Sequence, residues 1–143
     1  MSSNVSSGAA VASYISVPLS RQRVLVAEDE PDLRLLLYEH LAQRGYEVLM
    51  AEDGVQAMEI ARTSRPDLII LDYAMPRMTG YQVLATLHQD PDLAHVPVII
   101  LTGASGPSPV EFASMHGARH YMKKPFDLVE LDQHIQAALQ GTA

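Results

Sequence analysis

An α/β fold, a parallel sheet of five strands covered by helices on both faces, is what the sequence predicts, on three observations. Short unbroken apolar runs such as Val24–Ala27, Leu68–Leu71 and Val96–Leu101 have strand length and no polar alternation, the pattern of strands buried on both sides. Longer stretches between them repeat apolar residues three and four apart, as surface helices do. The two kinds of segment alternate along the chain, so each helix serves as a crossover between parallel strands.

Val24–Ala27 is the first strand and stops at Glu28, Asp29 and Glu30. Pro31 suits a first helical turn, Asp32–Arg44 places Leu33, Leu36, Leu37 and Leu41 on one stripe, and Gly45 is a left-handed stop. Tyr46–Ala51 is the second strand. The helix over Gly54–Ser64 sets Val55, Met58 and Ala61 on one side, and Pro66 forbids its extension. Leu68–Leu71 forms the third strand, ending at Asp72; a loop with Met75, Pro76 and Met78 leads through Thr79 and Gly80 to a helix over Tyr81–Gln89. Val96–Leu101 is the fourth strand, ending at Thr102. Ser108 and Pro109 cap and start the next helix, which Gly117 ends. Ala118–Lys123 is the fifth strand, Lys124-Pro125 its exit, and Asp127–Leu139 a closing helix with Leu128, Leu131, Ile135 and Leu139 inward. Pro125 holds Lys124 extended and permits a cis bond. No repeat of fixed period occurs.

With 143 residues, 48% hydrophobic and 19% charged, the chain suits one domain, placed over residues 21–140. Residues 1–20, rich in Ser, Gly and Ala and without Lys or Arg, read as a flexible extension rather than a signal peptide. No apolar run approaches the ~20 residues that cross a bilayer. Ten basic against seventeen acidic residues give a net charge of −7, which disfavours direct binding to nucleic acid. The chain has no Cys, which excludes disulfides, thiolate metal sites and a cysteine nucleophile and fits a cytoplasmic location.

Right-handed crossovers bring the carboxyl ends of all parallel strands to one edge, where ligands of open sheets bind. Here that edge collects Glu28 and Asp29, Asp72, Thr102 and Lys124. Carboxylates about 4 Å apart repel by ~4 kcal/mol per pair at an effective dielectric near 20, a strain that a hard cation relieves. Oxygen-only ligation points to Mg²⁺ rather than Zn²⁺. With the charge neutralised, one carboxylate can attack phosphorus, while an ammonium and a hydroxyl stabilise the equatorial oxygens.

The acidic run Val24-Leu25-Val26-Ala27-Glu28-Asp29-Glu30 and the segment Asp72-Tyr73-Ala74-Met75-Pro76-Arg77-Met78-Thr79-Gly80 resemble the bacterial response-regulator receiver domain. Val98-Ile99-Ile100-Leu101-Thr102 and Tyr121-Met122-Lys123-Lys124-Pro125-Phe126 continue the match, so it spans about Arg23 to Leu139. The resemblance implies a flavodoxin-like doubly wound sheet of order 2-1-3-4-5 with five helices, an order that a member of this family is commonly used to illustrate. It implies that Asp72 accepts a phosphoryl group from a histidine kinase or histidine phosphotransfer protein. Glu28, Asp29, Asp72 and the Ala74 carbonyl would hold Mg²⁺, with Glu28 a common variant of Asp. Lys124 would contact the phosphoryl group, Thr102 would be the switch hydroxyl, and Tyr121 the aromatic that turns inward when Thr102 moves. Output would pass to a downstream protein through the fourth helix, fifth strand and fifth helix.

Taken singly, these residues have plainer readings. Glu28–Glu30 is a solvated turn whose acids suit a helix start. Asp72 is a loop acid, Thr102 a turn residue, and Tyr121 a half-exposed strand aromatic. Met75 and Met78 are loop packing, Lys123 a surface residue, and the six His carry no assigned role. Gly103 and Gly106 shape a loop, since no phosphate-loop motif occurs. Lys124 stands out because it and Lys123 are the only lysines. The leading expectation is a phosphorylation-activated signalling switch rather than a turnover enzyme. A receiver-like scaffold independent of phosphorylation competes with it. So does a Mg²⁺-dependent aspartyl-phosphate phosphatase, disfavoured because Ala74 stands where a second Asp is expected. With only Gln140–Ala143 after Leu139, output is expected to act by contact.

Overall fold

The computed structural model describes residues 21–104, 106–114 and 120–141. Five strands, β1 (Arg23–Ala27), β2 (Glu47–Ala51), β3 (Leu68–Asp72), β4 (Val98–Thr102) and β5 (His120–Lys123), alternate with five helices. These are α1 (Pro31–Gln43), α2 (Gly54–Ser64), α3 (Gly80–Gln89), α4 (Pro109–Ala113) and α5 (Leu128–Leu139). All strand pairs are parallel, in the order β2-β1-β3-β4-β5. This is the flavodoxin-like order.

The unbroken apolar runs follow from two cores. Alternate residues of a strand point to opposite faces. Leu25, Ala27, Ile69, Leu71, Val98 and Ile100 enter one core with α2 and α3. Val24, Val26, Leu68, Ile70, Ile99 and Leu101 enter the other with α1 and α5. Every residue of β3 and β4 is buried.

The helix starts match their chemistry. Thr79 and Ser108 each form a capping box, with Gln82 and Glu111 respectively, and Asp53 and Asp127 accept backbone bonds from Gln56 and Glu130. Two predicted stripes need correction. Leu37 and Leu41 are buried and Leu33 packs beside them, but Leu36 is 46% exposed. Successive helical residues point about 100° apart, so Leu35, Leu36 and Leu37 cannot all face inward. In α2, Val55 is 36% exposed and Ala57 takes the inward place beside Met58 and Ala61. β4 starts two residues later than predicted, since the Pro97 carbonyl accepts from Ile69 N at 3.0 Å while Pro97 itself has no N–H to donate. The predicted extension at 1–20, the helix stop at Gly117 and the first residues of the fifth strand at 118–119 lie outside the described residues.

No helix among the described residues is long and apolar enough to cross a membrane.

Candidate phosphoryl-acceptor site

β1 ends at Ala27, and Glu28 N continues the ladder to Ala51 O at 3.1 Å. The Glu28 side chain therefore turns into the sheet edge and is fully buried, whereas Asp29 is exposed. Glu28 Oε2 accepts from Glu30 N at 3.1 Å. On the neighbouring strand Asp72 is the last residue of β3 and only 3% exposed. Each of Glu28, Asp29 and Asp72 brings a carboxylate oxygen to one group whose atoms lie within 4.8 Å of one another.

Lys124 reaches this group from the exit of β5. Its backbone N–H donates to Thr102 O at 2.7 Å, and the following Lys124-Pro125 bond is cis. Its Nζ lies 3.0 Å from Glu28 Oε1 and 3.2 Å from Asp72 Oδ1. Apart from this ammonium, no donor reaches the buried Glu28 Oε1. A buried carboxylate oxygen so sparsely partnered, inside a cluster of hard oxygen donors, is what a site for a hard divalent cation presents.

The Asp72 carboxyl is raised to about 7, by burial first and by the charge of Glu28 second, against the opposing charge of Lys124. For Lys124, burial alone would lower the ammonium; the bond to Glu28 and the charges of Asp72 and Glu28 outweigh it and raise the value. The acids are crowded and the single ammonium does not relieve them fully.

Thr102 ends β4 beside this group, fully buried, with its hydroxyl 3.4 Å from Gly103 O. A Cβ on Gly106 would fall on the Thr102 hydroxyl, so the absence of a side chain there leaves that hydroxyl its space. Tyr121 is half-buried; its hydroxyl donates to Pro107 O at 2.9 Å and its ring packs on Phe112 at 4.7 Å between centroids. Ala74 is exposed on the β3–α3 loop. That loop is closed by Gly80, whose N–H donates to Tyr73 O at 2.8 Å and whose missing Cβ would stand 2.7 Å from Asp72 O. Met75 is buried and Met78 packs on the same core, which is their packing role. Lys123 is exposed.

The structure thus brings Glu28, Asp29 and Asp72 within 4.8 Å of one another with Lys124 paired to Glu28 and Asp72, and places Thr102 and Tyr121 on the adjoining strands. Sequence reasoning passed over Arg34, whose Nη1 donates to Glu28 O at 2.8 Å and Asp29 O at 3.4 Å. A signal existed: a cation near a helix N-terminus opposes the helix dipole and needs a compensating partner. It also passed over Arg77, whose guanidinium pairs with Asp53 Oδ2 at 2.9 Å and ties the β3–α3 loop to the start of α2.

Comparison with known proteins agrees with this geometry. The profile of the response regulator receiver domain matches residues 24–136. The protein PilH of Pseudomonas aeruginosa is 34% identical over 119 residues, which cover 83% of this chain and 98% of PilH. A probable transcriptional regulator, ycf27, of Porphyridium aerugineum is 35% identical over 122 residues, 85% of this chain and 50% of that protein. The chain spans about half the length of several curated relatives it matches, ycf27 and MprA among them. Among solved structures, the chemotaxis protein CheY4 of Vibrio cholerae superposes with a TM-score of 0.76 at 30% identity, covering 84% of this chain and 100% of that one. The receiver domain of a sensor histidine kinase from Pseudomonas aeruginosa PAO1, with a magnesium ion coordinated in its active site cleft, gives a TM-score of 0.76 at 29% identity, covering 85% and 99%. The fold, the acidic cluster and these matches agree, and the chain belongs to the response regulator receiver domain family, a family of signalling modules.

Proposed function

We propose that this domain accepts a phosphoryl group on Asp72 from a phosphohistidine of a histidine kinase or histidine phosphotransfer protein, in a Mg²⁺-dependent reaction, and passes the signal to a protein partner in the cytoplasm. The observation that carries the reading is the placement of one buried carboxylate, Asp72, against one ammonium, Lys124, within a cluster of three acids. An Asp72 oxygen attacks phosphorus, the P–N bond breaks, and its electron pair leaves with the imidazole nitrogen, which regains a proton. Asp72 must be ionised for this, and Lys124 favours that state. Mg²⁺, when bound by Glu28, Asp29, Asp72 and the Ala74 carbonyl, supplies charge neutralisation for the acids and the incoming oxygens. Lys124 then holds a phosphoryl oxygen, and the Thr102 hydroxyl has an acceptor better than the Gly103 carbonyl at 3.4 Å.

The product carries about −1.5 to −2 charges at this edge, enough to bias two loop packings. Drawing Thr102 toward the phosphoryl group vacates space beside β5, and Tyr121 can enter it by giving up its bond to Pro107. The Lys124 side chain is 22% exposed at this edge. Beside that lysine lies a recess of about 510 Å³ lined by Leu33, Leu36, Pro125, Phe126 and Leu128, so the exposed Leu36 is placed to meet the donor protein. Labelling by acetyl phosphate tests the reading: incorporation should need Mg²⁺ and vanish in Asp72→Asn. Mg²⁺-independent labelling, or labelling of the variant, would overturn it.

A further inference from the structure

We infer that Arg34 is a positioning residue for divalent-ion binding, which fixes the backbone under Glu28 and Asp29 so that their carboxylates are held together before an ion arrives. The inference rests on the reading of the acidic cluster as a Mg²⁺ site. Arg34 stands one turn into α1, at the end of the helix where a cation is disfavoured, and its side chain is 16% exposed. Two interactions hold it there. Nη1 donates to the carbonyls of Glu28 and Asp29, at 2.8 and 3.4 Å, whereas Nη2 stands 4.0 Å from Glu52 Oε2, on a side chain that is 70% exposed. An exposed ion pair at that distance contributes little, so the carbonyl contacts keep the guanidinium in place.

The consequence follows from repulsion. Two acids adjacent in sequence, on an untethered loop, relieve their mutual repulsion and that of Asp72 by moving apart. Here Glu28 N is tied to Ala51 O and Glu30 N to Glu28 Oε2, both at 3.1 Å, and the guanidinium secures the carbonyl side of the same three-residue turn. The ion then meets an assembled donor set. The effect depends on reach as well as charge, because both carbonyl contacts come from Nη1, and a lysine, one bond shorter, carries its ammonium short of that position.

Isothermal titration of the full chain with MgCl₂ tests this for wild type, Arg34→Gln, Arg34→Lys and Glu52→Gln, with melting in EDTA as the reference for folding. Outer-shell partners of metal ligands typically change affinity by tenfold or more, so Arg34→Gln should raise the Mg²⁺ Kd about tenfold. Arg34→Lys should raise it by roughly threefold, because its shorter side chain brings a cation near the carbonyls without reaching the Nη1 position, and Glu52→Gln should leave it within about twofold of wild type, as an exposed weak pair predicts. At saturating Mg²⁺ the labelling rate of Arg34→Gln should return to that of wild type. A purely structural role would instead lower the melting temperature in EDTA and leave the Kd unchanged, and that result overturns the inference. So does wild-type affinity in Arg34→Lys, which also decides the case if Arg34→Gln does not fold. Failure of the wild-type chain to bind Mg²⁺ would overturn the underlying reading of the cluster instead.

Discussion

Lys124 Nζ stands 3.2 Å from Asp72 Oδ1 although β4 separates their strands in the sheet, so the lysine crosses the end of β4 to reach the acid. Its backbone bond to Thr102 O, at 2.7 Å, anchors that crossing on β4 itself. With its Nζ also 3.0 Å from Glu28 Oε1, this one residue joins the ends of β1, β3, β4 and β5.

Truncation of that side chain is expected to expose the cost of the crowded acids. Lys124→Ala removes the compensating ammonium, and breaking a buried pair typically costs 3–5 kcal/mol. Because Lys124 is 22% exposed at its side chain, a loss of about 2 kcal/mol near pH 8 is expected, read by urea unfolding in EDTA. Labelling by acetyl phosphate should fall at least tenfold, the loss typical when an electrostatic donor to developing charge is removed. A variant as stable as wild type would show that Lys124 does not offset the acids.

Metal-free stability should fall as pH rises. The Asp72 carboxyl lies at about 7 in the folded chain against 3.8 as its ordinary value, so the folded state binds the proton more tightly. Its stabilising contribution is fully present below pH about 4 and is lost as pH rises through 7. Melting scans in EDTA between pH 5 and pH 8 should therefore decline more for wild type than for Asp72→Asn. Excess Mg²⁺ should restore the wild-type melting temperature at pH 8. Parallel pH profiles for the two chains would contradict the crowding argument.

Tyr121→Phe removes one hydroxyl bond, to Pro107 O at 2.9 Å, while keeping the ring on Phe112. A loss of about 0.5–1.5 kcal/mol is expected from chemical denaturation. The initial labelling rate should match wild type, since Tyr121 does not touch the acids, whereas the phosphorylation-induced change in near-UV circular dichroism should differ. Slowed labelling would place Tyr121 in the chemistry rather than in the response.

Gly106→Ala puts a methyl group where the Thr102 hydroxyl sits. Thr102 is fully buried and β4 is covered on both faces, so the loop must yield, at roughly 1–3 kcal/mol. Labelling should slow as Thr102 is displaced. Thr102→Ala alone should slow labelling to a similar extent, and combining it with Gly106→Ala should add little further loss if displacement of that hydroxyl is the cause; an unperturbed Gly106→Ala variant would rule it out.

The strand ends were legible because backbone topology dictates them. Once Leu68–Leu71 and Val24–Ala27 are parallel neighbours, Asp72 and the Glu28-Asp29 pair share an edge, and Lys124 follows from the same rule on β5. Contacts made by long side chains were not legible. The Arg34 bonds to Glu28 O and Asp29 O, the Arg77 pair with Asp53, and the His40 Nε2 contact with Asp132 Oδ1 at 2.8 Å between α1 and α5 depend on rotamers that no periodicity encodes. The Leu36 error has the same origin. Hydrophobicity marked it as core, while helical rotation carries it to the surface beside Phe126.

The burial of all five β3 residues on both faces constrains how a load applied at Asp72 can be relieved. The strand beneath the acid is wedged between two packed layers and has no slack. β4 is buried along its whole length as well, so any displacement falls to the margins of the sheet, β2 and β5, each of which has one flank unpaired by any strand among the described residues. A rigid anvil at the centre of the sheet leaves its margins as the compliant parts of the layer.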